Sequence, residues 1–411
     1  MTVSKNDLVR TSGRPRVLIY TTLFPNSVDP LQGNFVLERM RHLQPFVDMS
    51  VVAPVPYFPR VRLNQRWYQF ASVPRSETFA GFNVDHPRYV VFPKLGMTTH
   101  GVSMFAGSLR RVCARLRASD YDLIDAHYVY PDGLAATLLG AVLNKPVIVS
   151  ARGTDINVFS GLRMIRPMIQ HVLSRADAVI AVTQALKSMM VALGCPSGKI
   201  SVIQNGVDSL KFMPISRKSA RRELGLPNRQ RILLGVGRLL EPKGFQILIE
   251  AVGRLRSRHP DIMLLVVGEG PYRTALERQI RDLGICNNVK LAGAQPHEQL
   301  ALWYSAADLF CMASSREGCP NVVLEAMACG LPIIATPVGG VPEIVVSPSV
   351  GKLIDRTPEA FEQAIDESLS RQWNYAAIIA HSRAYSWPTV ASEILNIYSE
   401  VLTRRNSQRS S

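Results

Sequence analysis

The chain has 411 residues, 47% hydrophobic and 19% charged, with a formal net charge of +15. That length favours two or three domains, each with its own core. The balance is that of an ordinary folded enzyme and excludes a disordered chain.

Residues 1–14 form a polar lead with no apolar core, so no secretory leader is expected there. Val17 to Thr21 reads as a buried strand, followed by the loop LFPNSVDPLQGNF and a helix from about Phe35. Gly33 closes that loop, with Asn34 beside it; a residue without a side chain lets backbone approach a ligand closely. Val51 to Pro54 is a second strand, and the stretch after it mixes aromatics with Arg60, Arg62, Arg66 and Arg75. In GVSMFAGSLRRVCARLRAS, Gly101 to Ser119, the residues Met104, Phe105, Leu109, Val112, Cys113 and Leu116 share one helical face, and Arg110, Arg111, Arg115 and Arg117 line the rest. Such a helix either docks on an anionic membrane surface or lays its apolar face on a sheet with its arginines in water. Up to Phe212 the chain holds 24 basic against 13 acidic residues, and 23 against 19 thereafter, so the basic excess sits in the N-terminal half. An anionic membrane, a phosphorylated substrate or nucleic acid would each suit it. No basic-aromatic recognition motif supports nucleic acid, which is not expected as a partner.

Tyr121 to Ala126 is a strand ending at His127, and carboxyl ends of parallel strands face the ligand crevice of a doubly wound sheet. His127 is therefore a candidate, the plain alternative being a hydrogen-bonded structural histidine. Asp120-Tyr121-Asp122 looks like a metal-binding Asp-x-Asp, but it precedes the strand at the end away from the crevice, and no metal site is read there. The helix-like run Leu134 to Leu143 is too short to span a bilayer. The strand Pro146 to Ser150 leads to Arg152-Gly153-Thr154-Asp155, which adds Arg152 and Asp155 as candidates. Strands at Ala178 to Val182 and Ser201 to Ile203 follow, the second running into Asn205-Gly206-Val207-Asp208. Pro, Ser and Arg are dense over 209–229 and mark a crossing between a domain 15–210 and a domain 211–385. The six cysteines are scattered with no Cys-x-x-Cys and read as reduced thiols of a cytosolic protein.

Arg231 to Val236 opens the second domain and runs into Gly237-Arg238-Leu-Leu-Glu-Pro-Lys243-Gly244, then a helix from Phe245 to about His259. Two cations on a loop before a helix can clamp a diphosphate, Arg by forking onto oxygens and Lys as a point charge. The alternative is a pair of surface charges. Met263 to Val267, Val289 to Ala292 and Leu309 to Met312 are further strands of a second doubly wound sheet. Gly293 to Gln295 follows one of them and is the expected backbone contact for a nucleotide base.

The densest stretch is Ser314 to Gly340, SSREGCPNVVLEAMACGLPIIATPVGG. A loop with Glu317 and Gly318 precedes a helix from about Asn321 to Cys329, then a strand, Pro332 to Ala335, then a second glycine loop at Gly339 and Gly340. The free N–H groups of the helix's first turn, Asn321 to Val323, suit an anion. Glu325, one turn further, is better placed beside that anion, accepting hydrogen bonds from hydroxyls. The spacing Glu317-x7-Glu325 followed by Ala-Met-Ala-Cys-Gly-Leu-Pro resembles the donor-site signature of the retaining GT-B glycosyltransferases of family 4, also called group 1. The plain alternative is a capped helix on a parallel sheet with both glutamates solvated.

The resemblance covers Val17 to Leu402 and implies an α/β protein of the GT-B type, with two Rossmann-like domains facing across a cleft and a helix over 386–402 crossing back onto the first. It implies transfer of a hexose, with retention, from a UDP- or GDP-linked sugar, with no cofactor and no metal required. On that basis His127 contacts the donor sugar and the loop of Gly33 faces the acceptor and the transferring sugar. The family often carries His-Gly-Ser-Asp where this chain has Arg152-Gly153-Thr154-Asp155, which leaves the role of the first position open. The catalytic set is then His127, Arg238, Lys243 and Glu317. The donor-binding set is Gly33, Gly237, Arg238, Lys243, Gly293, Glu317, Gly318, Asn321, Val322, Val323 and Glu325. Further candidates are Asn34, Arg152, Asp155 and Asn205. The motifs LFPNSVDPLQGNFV and AHYVYPDG resemble bacterial enzymes building exopolysaccharide, colanic acid or teichuronic acid. They imply a lipid-linked saccharide acceptor at the inner face of the cytoplasmic membrane. A nucleotide-sugar epimerase and a non-catalytic nucleotide- or carbohydrate-binding protein are the alternatives on this fold.

Overall fold

The computed structural model describes residues 14–30, 32–57, 65–91, 96–118 and 120–410. The lead over 1–13, Arg60, Arg62, Ser119 and the side chain of Arg66 lie outside the described residues. Two compact units emerge, Met1–Gln204 together with Val390–Ser411, and Asn205–Thr389. The split falls a few residues before the expected crossing at 210. Asn205-Gly206-Val207 belongs to the second unit because Val207 bridges to Ser386 and Gly206 lies against the Trp387 side chain.

In the first unit the strands are β1 (Arg16–Tyr20), β2 (Asp48–Val52), β3 (Val55–Tyr57), β4 (Ser76–Phe79), β5 (Phe82–Asp85), β6 (Arg88–Val90), β7 (Leu123–His127), β8 (Val147–Ala151), β9 (Ala178–Ala181) and β10 (Ile200–Val202). Eight of them form one sheet in the order β10-β9-β8-β7-β1-β2-β5-β4, parallel except for the β4–β5 hairpin; β3 and β6 pair separately. β7 and β8 are buried along their whole length. Parallel strands covered on both faces are mostly apolar; here β8 opens with Val-Ile-Val, while β7 places Asp125 and His127 inside the same buried layer. The sheet reverses its winding between β1 and β7, and the carboxyl ends there carry Thr21 and His127. The β4–β5 hairpin was not expected. Its two-residue turn, Ala80–Gly81, takes φ of 51° and 87°, the left-handed pair that suits strand twist, without the Asn-Gly or Asp-Gly that would advertise it.

The basic amphipathic helix runs over His100–Ala118. Met104, Ser108 and Val112 are buried, and the helix packs on β6 and on the helix Leu134–Leu143. Arg111 and Arg115 both bind the buried Asp85 carboxylate on β5. Burial pushes that carboxyl up, but the two guanidinium groups hold it well below the usual carboxylate range. Part of the apolar face is therefore used inside the unit, with Phe105, Leu109, Cys113 and Leu116 half-buried beside it, which fits a domain helix. Arg110, Arg111 and Arg117 are exposed, as expected, but Arg115 is half-buried, and both Arg111 and Arg115 are held by Asp85.

The second unit carries β11 (Arg231–Val236), β12 (Ile262–Val267), β13 (Val289–Gly293), β14 (Leu309–Met312), β15 (Ile333–Ala335) and β16 (Gly351–Leu353), all parallel, in the order β13-β12-β11-β14-β15-β16. Alternate residues feed two apolar layers. Ile232, Leu234, Phe310 and Ile333 pack with the helix Asn321–Ala328 on one face. Leu233, Leu264, Val266 and Ile334 pack with the helix Phe245–Leu255 on the other. Each such side chain contributes about 1.5–3 kcal/mol on burial. Both sheets are doubly wound, as expected.

The last helix spans Trp387–Ser410. It runs beyond the expected end near Leu402, and residues 403–410 are helical. Val390 onward belongs to the first unit, where Tyr398 donates a 2.6 Å hydrogen bond to Asp125 on β7. Among the described residues no helix is long and apolar enough to cross a membrane.

Candidate active site

In the second unit the winding reverses between β11 and β14, which places the loops after these two strands side by side at their carboxyl ends. The loop after β11 carries Gly237, Arg238 and Lys243; the loop after β14 carries Ser314, Glu317 and Gly318. Arg238 is exposed. Lys243 Nζ lies 2.7 Å from Glu317 Oε1, with side chains 31% and 11% exposed. Ser314 Oγ donates to the same oxygen at 2.6 Å. The cation expected on the diphosphate and the carboxylate expected on the sugar are thus an ion pair. Gly339 sits against this loop with φ 55°, and a Cβ there would stand 2.1 Å from the Glu317 carbonyl oxygen. Only glycine meets both conditions. Its neighbour Gly340 donates its N–H to the Gly318 carbonyl at 2.8 Å.

The helix Asn321–Ala328 begins after Pro320 with no capping side chain, which leaves first-turn N–H groups open to an anion. The Val323 N–H is an exception, since it donates to the Pro320 carbonyl at 3.1 Å; this removes it from the expected set and leaves Asn321 and Val322. Asn205 Nδ2 donates to Asn321 Oδ1 at 2.9 Å, so Asn205 acts here by placing Asn321. Gly293 closes β13, and its carbonyl accepts the Gly268 N–H at 2.9 Å.

Glu325 is 7% exposed, and both its oxygens are bonded. Tyr304 OH donates to Oε2 at 2.8 Å, and His297 Nε2 lies 3.0 Å from Oε1. Burial, and then the Glu325 charge, push the Tyr304 phenol well above its ordinary value, so it acts as a donor. His297 Nδ1 in turn lies 2.7 Å from Lys211 Nζ.

In the first unit Gly33 caps the helix Asn34–Leu43 with φ 63°, and a Cβ there would lie 2.1 Å from the Leu23 carbonyl oxygen. Asn34 is the first residue of that helix. His127 is fully buried. Its Nδ1 accepts from the Arg152 guanidinium, which has no acceptor capacity of its own. The proton therefore stands on Nε2, 3.7 Å from Asp125 Oδ2 and without a hydrogen-bond partner. Burial, then Arg152 and Arg39, hold the ring's pKa well below the ordinary histidine value. The Arg152 guanidinium also lies 5.1 Å from the centre of the Phe35 ring. Asp155 accepts backbone N–H groups of Val129, Arg152 and Gly153 at 2.8, 3.1 and 2.8 Å. It thus ties two loops together.

Residues 216–385 match the family model of glycosyl transferases group 1, and residues 50–209 match that of glycosyltransferase family 4. The teichuronic acid biosynthesis glycosyltransferase TuaC of Bacillus subtilis strain 168, a name still given there without proof of activity, is 30% identical over 339 residues, 79% of this chain and 82% of the relative. The chain belongs to the family 4, group 1 glycosyltransferases. Among solved structures, sucrose-phosphate synthase from Thermosynechococcus elongatus superimposes with a TM-score of 0.77 over 95% of this chain and 100% of that one, at 21% identity. HepE of Anabaena, solved with UDP, gives 0.72 over 94% and 100%, at 20% identity. These two likenesses establish the shared GT-B fold.

Four residues at this glycosyltransferase's candidate site escaped the sequence reading: Ser314, Lys211, His297 and Tyr304. Tyr304 lies in LALWYSAADLF, whose apolar spacing reads as core. A signal was available for His297 and Tyr304. A glutamate inside the apolar run VVLEAMAC must find donors when buried, and the upstream segment PHEQLALWYS offers a histidine and a tyrosine.

Proposed function

We propose that this glycosyltransferase moves a hexose, with retention, from a UDP- or GDP-linked sugar to a lipid-linked saccharide acceptor. The observation that carries the donor assignment is the meeting of Arg238, the Lys243–Glu317 pair, the uncapped helix start at Asn321 and the bonded Glu325 around one reversal of the second sheet. In this reading the bond from the anomeric carbon to the β-phosphate oxygen breaks as the acceptor oxygen bonds to the same face of that carbon. The acceptor's proton passes to the departing phosphate. Arg238, Lys243 and the N–H groups of Asn321 and Val322 stabilise the charge that develops there, each such donor being worth about 3 kcal/mol of barrier. These cations supply the neutralisation that a divalent ion would otherwise give. Glu325 holds the ribose hydroxyls, Glu317 orients the sugar, and His127 contacts the sugar, as the family resemblance implies. The basic surplus before Phe212 supports an anionic acceptor or membrane surface, and the name of the Bacillus relative supports a role in polymer biosynthesis. Family membership favours transfer over the epimerase and binding-protein alternatives.

The test is a thermal-shift panel with UDP, GDP, ADP and CMP, with and without magnesium. A ligand at a hundred times its dissociation constant adds about 2.7 kcal/mol. Stabilisation by UDP or GDP that does not depend on magnesium is expected. No shift with any diphosphate would refute the donor site.

A further inference from the structure

We infer that Lys211 and His297 are positioning residues that hold the Glu325 carboxylate in one orientation for the donor's ribose. The inference rests on the proposed contact between Glu325 and that ribose. Lys211 is set by an Asx turn: Asp208 Oδ1 accepts the N–H groups of Leu210 and Lys211 at 2.9 and 3.1 Å. Its Nζ reaches His297 Nδ1 at 2.7 Å and lies 3.6 Å from Glu298. An ammonium has donors and no acceptor, so Nδ1 must accept and the ring proton must stand on Nε2. That proton points at Glu325 Oε1, 3.0 Å away. The ring is steadied by Phe212, whose centre is 5.3 Å off at an interplanar angle of 72°. His297 and Tyr304 belong to one segment, a single turn His297–Gln299 followed by the helix Leu300–Ala306. They grip the two oxygens of one carboxylate from the same side.

A carboxylate has about four lone-pair sites. Tyr304 and His297 take one on each oxygen, leaving one on each for a ligand. Two acceptors at the spacing of a carboxylate match two vicinal hydroxyls. Without His297 the carboxylate is held by Tyr304 alone and turns about its last torsion, so the ligand must order it on binding. Lys211 fixes the tautomer that makes His297 a donor toward Glu325.

The experiment is calorimetric titration of the full chain with UDP and GDP and with their 2′,3′-dideoxy counterparts, following whichever base the wild type binds. His297→Phe keeps the ring on Phe212 and removes both hydrogen bonds; it is expected to raise Kd about tenfold. Lys211→Met is expected to weaken binding several-fold alone and to add little on top of His297→Phe. His297→Gln, which can both accept and donate, is expected to recover most of the affinity. The dideoxy ligand should bind wild type and His297→Phe alike, a result that a general loss of packing would not give. If His297→Phe binds within about twofold of wild type while Glu325→Gln is weakened, the positioning role is overturned and the ribose contact stands. If Glu325→Gln leaves Kd unchanged, the ribose contact falls and the positioning role with it.

Discussion

The ion pair between Lys243 and Glu317 gives the donor site an asymmetric response to mutation. Lys243 Nζ is 2.7 Å from Glu317 Oε1, and the side chains are 31% and 11% exposed. At an effective dielectric near 20 two charges about 4 Å apart attract by about 4 kcal/mol, whereas fully exposed pairs retain only about 0.2–1 kcal/mol net. A half-buried pair falls between, at about 1–2 kcal/mol. A diphosphate must share Lys243 with this carboxylate and also sit near its negative charge. Glu317→Gln is nearly isosteric, and Ser314 can still donate to the amide oxygen, so the loop keeps its anchor. The expected result is that UDP or GDP binds Glu317→Gln about five- to tenfold more tightly than wild type, the free-energy gain of a released lysine. Turnover, read as nucleoside diphosphate released from the nucleotide sugar, falls at least about a hundredfold, because the sugar loses its orienting carboxylate. Lys243→Met should do the opposite to affinity. Calorimetry on the three proteins decides it. Weaker diphosphate binding by Glu317→Gln would refute the reasoning, since it would make Glu317 a support of the phosphate site and not a competitor for its cation.

Three further outcomes follow from single contacts. Tyr398→Phe deletes the 2.6 Å hydrogen bond to buried Asp125; it should cost about 1–3 kcal/mol and lower Tm by several degrees, and an unchanged melting curve would contradict the anchoring role. Burial pushes the Asp132 carboxyl up to about 7 despite the Thr22 donors. The folded state therefore holds this proton where the unfolded chain has lost it, and the contribution to stability is full below the unfolded value near 4 and fades as pH rises towards 7. Relative to Asp132→Asn, the wild type should gain up to about 2 kcal/mol on going from pH 7 to pH 5.5, read from urea unfolding at both; equal slopes would remove the claim. Gly339→Ala forces a Cβ to 2.1 Å from the Glu317 carbonyl oxygen, so donor KM should rise by about tenfold or more, and unaltered kinetics would show that the second glycine loop does not set the first.

What could be read from the chain divides along a physical line. Strands buried on both faces declare themselves, because RILLGV and IMLLVV have no polar alternation to hide in; the β4–β5 hairpin does not, because Ala80–Gly81 reaches its turn without the usual residues. The end of the last helix was misread for a related reason. Residues 403–410 are polar, yet they contain neither Gly nor Pro, and extending a helix already nucleated by buried Tyr398 and Val401 costs little. Arg404 and Glu400, one turn apart and 3.5 Å from each other, add to it.

At the site, spacing exposed Glu317 and Glu325 because both lie on one short stretch, whereas their partners come from elsewhere in the fold. Lys243 lies 74 residues before Glu317, and His297 lies 28 before Glu325. Spacing along a chain reports which side chains share an element. It cannot report that Lys243 and Glu317, each sensible as a ligand to a different part of one donor, neutralise each other when the loops after β11 and β14 stand side by side. The two glutamates therefore differ in what binding must do to them. Glu325 is already held on both oxygens by fixed donors, so the proposed ribose hydroxyls would meet it without rearrangement. Glu317 is already paired with Lys243, so on the proposed reading a donor phosphate would have to redistribute that charge before the sugar is oriented.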